Sequence, residues 1–329
     1  MTQWIGAITR GHNGGAVLLK DGEIVFSIEE ERLTRKKYDG GPLAAMIKFL
    51  DYTDKLDYLV VAHTQPLAES SRIDFSGGDM YTGLARKLGL IDRNDNAYTA
   101  DGQHNHRQVI DLSHIHHKLH AACAFYRSGF DDAVAVVVDG SGSVMEADFC
   151  FDPKYNESEI IRSGMWEVES YIDCAYPCTF NHLYKHSGTK DAILTTIDLA
   201  RDAEDMFGET GNTFHSVLSR NAGITKTYEA VTKYCGFQEI EAGKTMGLFP
   251  YGKPNDNIPK LFTKVGNYEL SDPNVIVPFY PRGALVNAQL YDELNTKLGD
   301  TGDVTTEQNR RDLAYAVQTE TQDQVLNLI

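Results

Sequence analysis

Two histidines four residues apart, His116 and His120, stand in the run from Ile115 to Tyr126 and are the side chains best spaced for joint chemistry. In an α-helix, positions i and i+4 lie one above the other on one face, so both imidazoles can aim at a single point. That geometry suits a metal ion. Downstream, the apolar run Ala133 to Val138 reads as a buried strand. The Asp139-Gly140-Ser141-Gly142 turn after it delivers Asp139 to the sheet edge as a third, hard ligand. Three ligands leave coordination positions open for substrate, and the turn offers backbone N–H groups to a phosphate. The plainer alternative is a helix whose apolar stripe, Ile115, Leu119, Ala122 and Tyr126, is merely bordered by histidines.

The elements that must hold these residues follow from periodicity and turn chemistry. Trp4 to Thr9, Gly15 to Leu19 and Ile24 to Ile28 read as three short strands, with Asp21-Gly22 as a hairpin signal. A helix from Leu43 to Leu50 and a strand from Leu56 to Ala62 come next, so that helices and strands alternate in an α/β chain with a mixed sheet covered by helices. Residues 64–113 are polar and read as surface excursions around one short helix. After the histidine helix the three-strand theme recurs, at Ala133 to Asp139, Val144 to Phe151 and Ile160 to Val168. A repeated βββ unit followed by helix is the mark of a duplicated ribonuclease-H-like fold, whose two lobes face each other across a nucleotide cleft. Residues 170–215 read as an irregular, partly helical insertion with its best helix at Ala192 to Phe207, and 217–236 as a helix pair. The segment from Gly243 to Pro254 reads as a Gly/Pro-rich loop carrying lysines, either functional or a plain connector. Thr305 to Ile329 reads as one closing helix.

Composition bounds the function. At 329 residues the chain is long enough for two lobes, and 42% hydrophobic with 24% charged residues is ordinary for a globular protein. No apolar run approaches the roughly 20 residues of a membrane span, and the N-terminus has no signal-peptide pattern, so the expected location is the cytoplasm with no membrane partner. A net charge of −16 repels nucleic-acid phosphates, and Arg35-Lys36-Lys37 is the longest basic block, so tight nucleic-acid binding is not expected. Five cysteines at no zinc-finger spacing fit reduced thiols. Cys174, Cys178, His182 and His186 have metal-capable types, but Pro177 and the lack of a matching second pair favour loop and core roles.

The chain resembles the O-carbamoyltransferases of the nodulation-factor, aminoglycoside and cephem type. The motifs that carry the resemblance, in order, are Gly11-His12-Asn13-Gly14 with Asp21-Gly22, Glu29 to Lys37 with Gly41-Pro42, His116 to Ala122 with Phe125-Tyr126, Val137 to Gly142, Thr227 to Thr232 with Gly236-Phe237, and Gly243 to Leu248 with Pro250 to Gly252. The resemblance implies the duplicated ribonuclease-H-like fold of the actin, sugar-kinase and chaperone superfamily, with a first lobe at 1–130 and a partial second lobe at 131–329. It implies a two-part chemistry: a C-terminal module makes carbamoyl-adenylate from carbamoyl phosphate and ATP, and this N-terminal module, related to the tRNA threonylcarbamoyl transferases, passes the carbamoyl group to a small-molecule hydroxyl. His116, His120 and Asp139 fall on the family's metal ligands, usually iron, while His12 and Lys37 fall on a catalytic histidine and lysine of the cleft. Gly140, Ser141, Gly142 and Lys244 are candidates for phosphate contacts.

Two departures from the family pattern stand out. Asn13 replaces the usual aspartate after the first-turn histidine. The C-terminal module and the last strands of the second lobe are also expected to be absent, so the chain is expected to be either a fragment or one half of a split enzyme whose partner chain supplies the rest. An unfinished lobe also leaves apolar surface and sheet edge that favour homo-oligomers. The competing expectations are a scaffold remnant of the fold that has lost turnover, and an ATP-dependent phosphotransferase of the same superfamily.

Overall fold

A computed structural model of the chain describes residues 2–11, 13–62, 80–92, 108–112, 115–140, 142, 144–145, 165–189, 195–200, 213–219, 224–258, 260–262 and 307–329. The chain divides into two compact units, Met1–Leu119 and His120–Ile329.

The first unit is built on a five-stranded mixed sheet. β1 (Trp4–Thr9), β2 (Gly15–Lys20) and β3 (Glu23–Glu29) form an antiparallel meander. Helices α1 (Glu30–Thr34) and α2 (Leu43–Ile47) come next, the latter running into a 3-10 turn at Lys48–Asp51. β4 (Tyr58–Ala62) returns parallel to β1; after helix α3 (Met80–Leu88), β5 (Val109–Asp111) pairs parallel to β4, giving the order β3-β2-β1-β4-β5. The hairpin forms where Asp21-Gly22 predicts it. Both residues have positive φ (53° and 88°), as a two-residue hairpin turn requires, and Asp21 Oδ1 accepts the Gln3 N–H at 2.7 Å. Alternation along β1 and β2 buries Ile8, Ala16 and Leu18 against Met46, Phe49 and Leu59.

The second unit carries a second mixed sheet. The histidine helix α4 (His116–Ser128), which spans the division between the units, leads into β6 (Asp132–Val138). After it come β7 (Val144–Met145), β8 (Met165–Ala175), β9 (Thr179–Thr189), β10 (Thr195–Ala200) and β11 (Thr213–Ser219). The order is β10-β11-β9-β8-β6, with β7 also on β8. Helices α5 (Ile224–Tyr234), α6 (Ala242–Leu248) and α7 (Glu307–Leu328) close the unit. Successive residues of a strand point to opposite faces, and β6 shows both being covered. Val137 packs with Ala121 and Phe125 of α4, while Val138 packs with the core of α5 and α7 around Val231, Leu313 and Val317. Among the described residues no helix is long and apolar enough to cross a membrane.

Several expectations change here. The segment expected to be an irregular insertion carries the end of β8, all of β9 and β10, and the start of β11. Where a helix was expected from Ala192, residues Thr195–Ala200 form a strand, because β-branched Thr195, Thr196 and Ile197 find an antiparallel partner in β11. The helix pair expected at 217–236 is a single helix, since Val217 and Leu218 belong to β11. The Gly/Pro-rich loop is in part the helix α6 and a 3-10 turn at Phe249–Tyr251, and the residues just beyond that turn are strapped to α7. There Asp312 accepts the Lys253 N–H at 3.0 Å and Asn255 Nδ2 at 3.2 Å. Residues 146–164, including most of the expected strands at 144–151 and 160–168, lie outside the described residues.

Candidate metal centre

Helix α4 is held on its sheet by its apolar side: Ala121 and Phe125 are buried against Val137, Ile172, Cys174 and Phe180. Its first turns then present His116, half-buried, and His120, exposed, beside the end of β6. Asp139 is the next residue beyond that strand. Its N–H donates to the Val168 carbonyl of β8 at 2.8 Å, and its Oδ1 accepts the Gly140 N–H at 2.6 Å. One donor atom from each of His116, His120 and Asp139 lies within 4.8 Å of the others. Metal bonds of about 2.1 Å in a tetrahedral site would place donors about 3.4 Å apart. The donor set itself, two imidazoles and a carboxylate, suits a divalent transition ion and leaves positions open. A cavity of about 270 Å³ lies alongside, lined by His120, Ala121, Ala124 and the stretch Ala135–Asp139. His117 and Lys118, which the i, i+4 pattern does not single out, are buried in the same helix.

The phosphate candidates have internal partners. Besides the Gly140 bond, the Gly142 N–H donates to the Glu167 carbonyl at 2.8 Å, so a phosphate at this turn would compete with both bonds. Ser141 lies outside the described residues. Lys244, on α6, has its Nζ 2.6 Å from Glu241 and 5.5 Å from the Phe237 ring centre.

In the first unit the loops of His12 and Lys37 are joined by backbone. His12 lies outside the described residues, but its flanks are fixed: Gly11 N–H donates to Gly40 O at 3.2 Å, and Gly14 N–H to Asp39 O at 2.8 Å. A Cβ on Gly40 would stand 1.8 Å from the Gly11 carbonyl oxygen, so only glycine permits this approach. Lys37 is exposed, its Nζ 4.7 Å from the centre of the Tyr38 ring. Buried Glu30 shapes this loop from below. Its carboxylate accepts the Ala44 and Ala45 N–H groups at 2.8 and 2.7 Å, capping α2, and Glu31 accepts the Tyr38 N–H at 3.1 Å. Sequence reasoning passes over Glu30 because a glutamate in Glu29-Glu30-Glu31 looks like a solvated charge.

Residues 90–272, which include His116, His120 and Asp139, match the family described as Carbamoyltransferase N-terminus. The chain belongs to that family. Its relatives include an uncharacterized protein, sll1178, of Synechocystis sp., 24% identical over all of this chain and 48% of that protein. Another is the nodulation protein NolNO of Sinorhizobium fredii, 28% identical over 74% of this chain and 28% of that protein. The chain therefore spans about half the length, or less, of these curated relatives. As a member of the carbamoyltransferase family it carries the converging His116, His120 and Asp139 within the matched span.

Proposed function

We propose that this chain is the carbamoyl-transfer module of an O-carbamoyltransferase, moving a carbamoyl group from carbamoyl-adenylate, made from carbamoyl phosphate and ATP, to a hydroxyl of a small molecule. The observation that carries the reading is the convergence of His116, His120 and Asp139 within the span that matches the carbamoyltransferase family. In the reaction the acceptor oxygen forms a bond to the carbamoyl carbon, the bond from that carbon to the adenylate phosphate oxygen breaks, and AMP departs. The hydroxyl proton goes to a base. The mixed anhydride is already activated, so the protein's work is orientation, proton removal and stabilisation of charge on the carbonyl and leaving phosphate. His12 is the candidate base and Lys37 the candidate cation, on loops joined through Gly11–Gly40 and Gly14–Asp39. His116, His120 and Asp139 would hold a divalent ion, iron by family resemblance, which supplies Lewis-acid polarisation of a substrate oxygen.

The duplicated ribonuclease-H-like fold belongs to this proposal. Its support is that β1-β2-β3 and β6-β8-β9 are both antiparallel runs of three, each covered by helices. The adenylate-forming step is assigned to a further module, in the same or a second polypeptide, because the relatives are at least twice the length of the matched chain.

The test is incubation with ATP, carbamoyl phosphate and a panel of hydroxyl acceptors, with and without an adenylate-forming partner, following AMP and carbamoylated product by mass spectrometry. Product with AMP supports the proposal. ADP with a phosphorylated acceptor would make the chain a phosphotransferase, and no turnover with any partner would leave the scaffold reading standing.

A further inference from the structure

β8 carries an irregularity next to Asp139. Its pairing with β9 runs Glu169↔His186 and then Glu167↔Ser187, so Val168 is an extra residue, a β-bulge. In a regular strand, successive carbonyls point to opposite neighbours. Here two successive carbonyls serve the same side: Val168 O accepts the Asp139 N–H and Glu167 O accepts the Gly142 N–H, both at 2.8 Å. The bulge thus grips both ends of the Asp139–Gly142 turn.

A buried ion pair and a buried histidine–carboxylate hydrogen bond lock the bulge. Glu167 Oε1 lies 2.6 Å from Lys185 Nζ, with the side chains 2% and 5% exposed. Glu169 Oε2 lies 2.5 Å from His186 Nδ1, with the side chains 3% and 1% exposed, while its Oε1 accepts the Ile224 N–H at the start of α5 at 2.8 Å. Lys185 and His186 are consecutive on β9 and project to opposite faces. In a regular strand Glu167 and Glu169, two apart, would share a face and could not each reach one of them. The extra residue changes that parity, so the two pairs and the bulge require one another.

We infer that the Val168 bulge, held by Glu167–Lys185 and Glu169–His186, is the positioning device that sets the Asp139 carboxylate against His116 and His120. Glu167 and Lys185 are positioning residues that act on the ion through the turn's backbone. This rests on the metal reading above, and the arms of the test separate the two. Co²⁺ is the probe, titrated into the full chain and followed by calorimetry and by its visible absorption, which reports ligand geometry.

The wild-type chain is expected to bind one Co²⁺, and His116→Ala/His120→Ala to abolish it. Glu167→Ala is expected to weaken binding by about 10- to 100-fold, the usual effect of losing an outer-shell support, and to shift the absorption bands. The reversed pair Glu167→Lys/Lys185→Glu is expected to recover both. Glu169→Gln, which keeps an acceptor for Ile224, is the milder variant should Glu167→Ala not fold, and the same direction is expected. Unchanged Co²⁺ affinity and spectrum in Glu167→Ala or Glu169→Gln, with only a lower melting temperature, would overturn the inference while leaving the metal reading intact. A wild-type chain that binds no Co²⁺, or a histidine double variant that binds it unchanged, would overturn the metal reading and this inference with it.

Discussion

Asp139 has two tasks that a single substitution separates. Its Oδ1 accepts the Gly140 N–H, and on the metal reading proposed above its carboxylate would be the third donor beside His116 and His120. Asp139→Asn keeps an acceptor for Gly140 but removes the charge, so the turn should survive while divalent-ion affinity falls at least about tenfold, the scale of losing even an outer-shell support. Calorimetric titration together with an unchanged circular-dichroism melt checks this. The thiols divide just as clearly. Burial pushes Cys235 up to about 12 and raises Cys174 above its ordinary value, while Cys123 and Cys178 are exposed. Because the thiolate is the reactive species, iodoacetamide at pH 8 should label Cys123 and Cys178 in the native chain and spare Cys174 and Cys235 until denaturant is added. Peptide mass mapping reads the outcome directly.

Between elements, buried carboxylates act as clamps on backbone amides. Glu30 joins the start of α1 to the start of α2, and its loss leaves the part-buried Ala44 N–H and the buried Ala45 N–H without their acceptor, at about 1–3 kcal/mol for the buried one. Glu30→Ala should therefore lower the urea midpoint and speed amide exchange at Ala44 and Ala45, while Glu30→Gln should recover much of the loss. Glu320 of α7 clamps the segment after the 3-10 turn by accepting the Leu261 and Phe262 N–H groups at 2.9 and 3.2 Å. Burial, the dominant cause, raises its pKa against the opposing pull of those two bonds. The folded state then holds this proton more tightly than the unfolded chain. The stabilisation from it is fully present below the unfolded carboxylate value and is lost as pH rises through the raised one. Glu320→Gln keeps an acceptor and removes the charge. Relative to wild type, its urea midpoint should be higher at pH 7, and the difference should shrink as pH falls through the carboxylate range.

At the scale of the whole molecule, the chain is two compact units, each with its own sheet and core, and it matches half or less of its longer relatives. On the reaction proposed above, the chain supplied with an adenylate-forming partner, ATP and carbamoyl phosphate should carbamoylate an acceptor, and the His116→Ala/His120→Ala chain should lose that product; mass spectrometry of the acceptor checks both. What the sequence determined by itself is what local geometry enforces. The Asp21-Gly22 hairpin follows from backbone freedom at two residues, and the His116/His120 pairing follows from the helical period. The strand ahead of Asp139 follows from an unbroken apolar run. Tertiary structure decided whatever depends on distant partners. Thr195–Ala200 became a strand because β11 pairs with it, and Glu30 became a cap because α2 starts 13 residues later. Glu167, Glu169 and Lys185 look in the sequence like solvated charges, and His186 like a loop or core histidine. Their burial around the Val168 bulge depends on β8–β9 register, set by contacts 17 and 18 residues apart, which no short window of sequence contains.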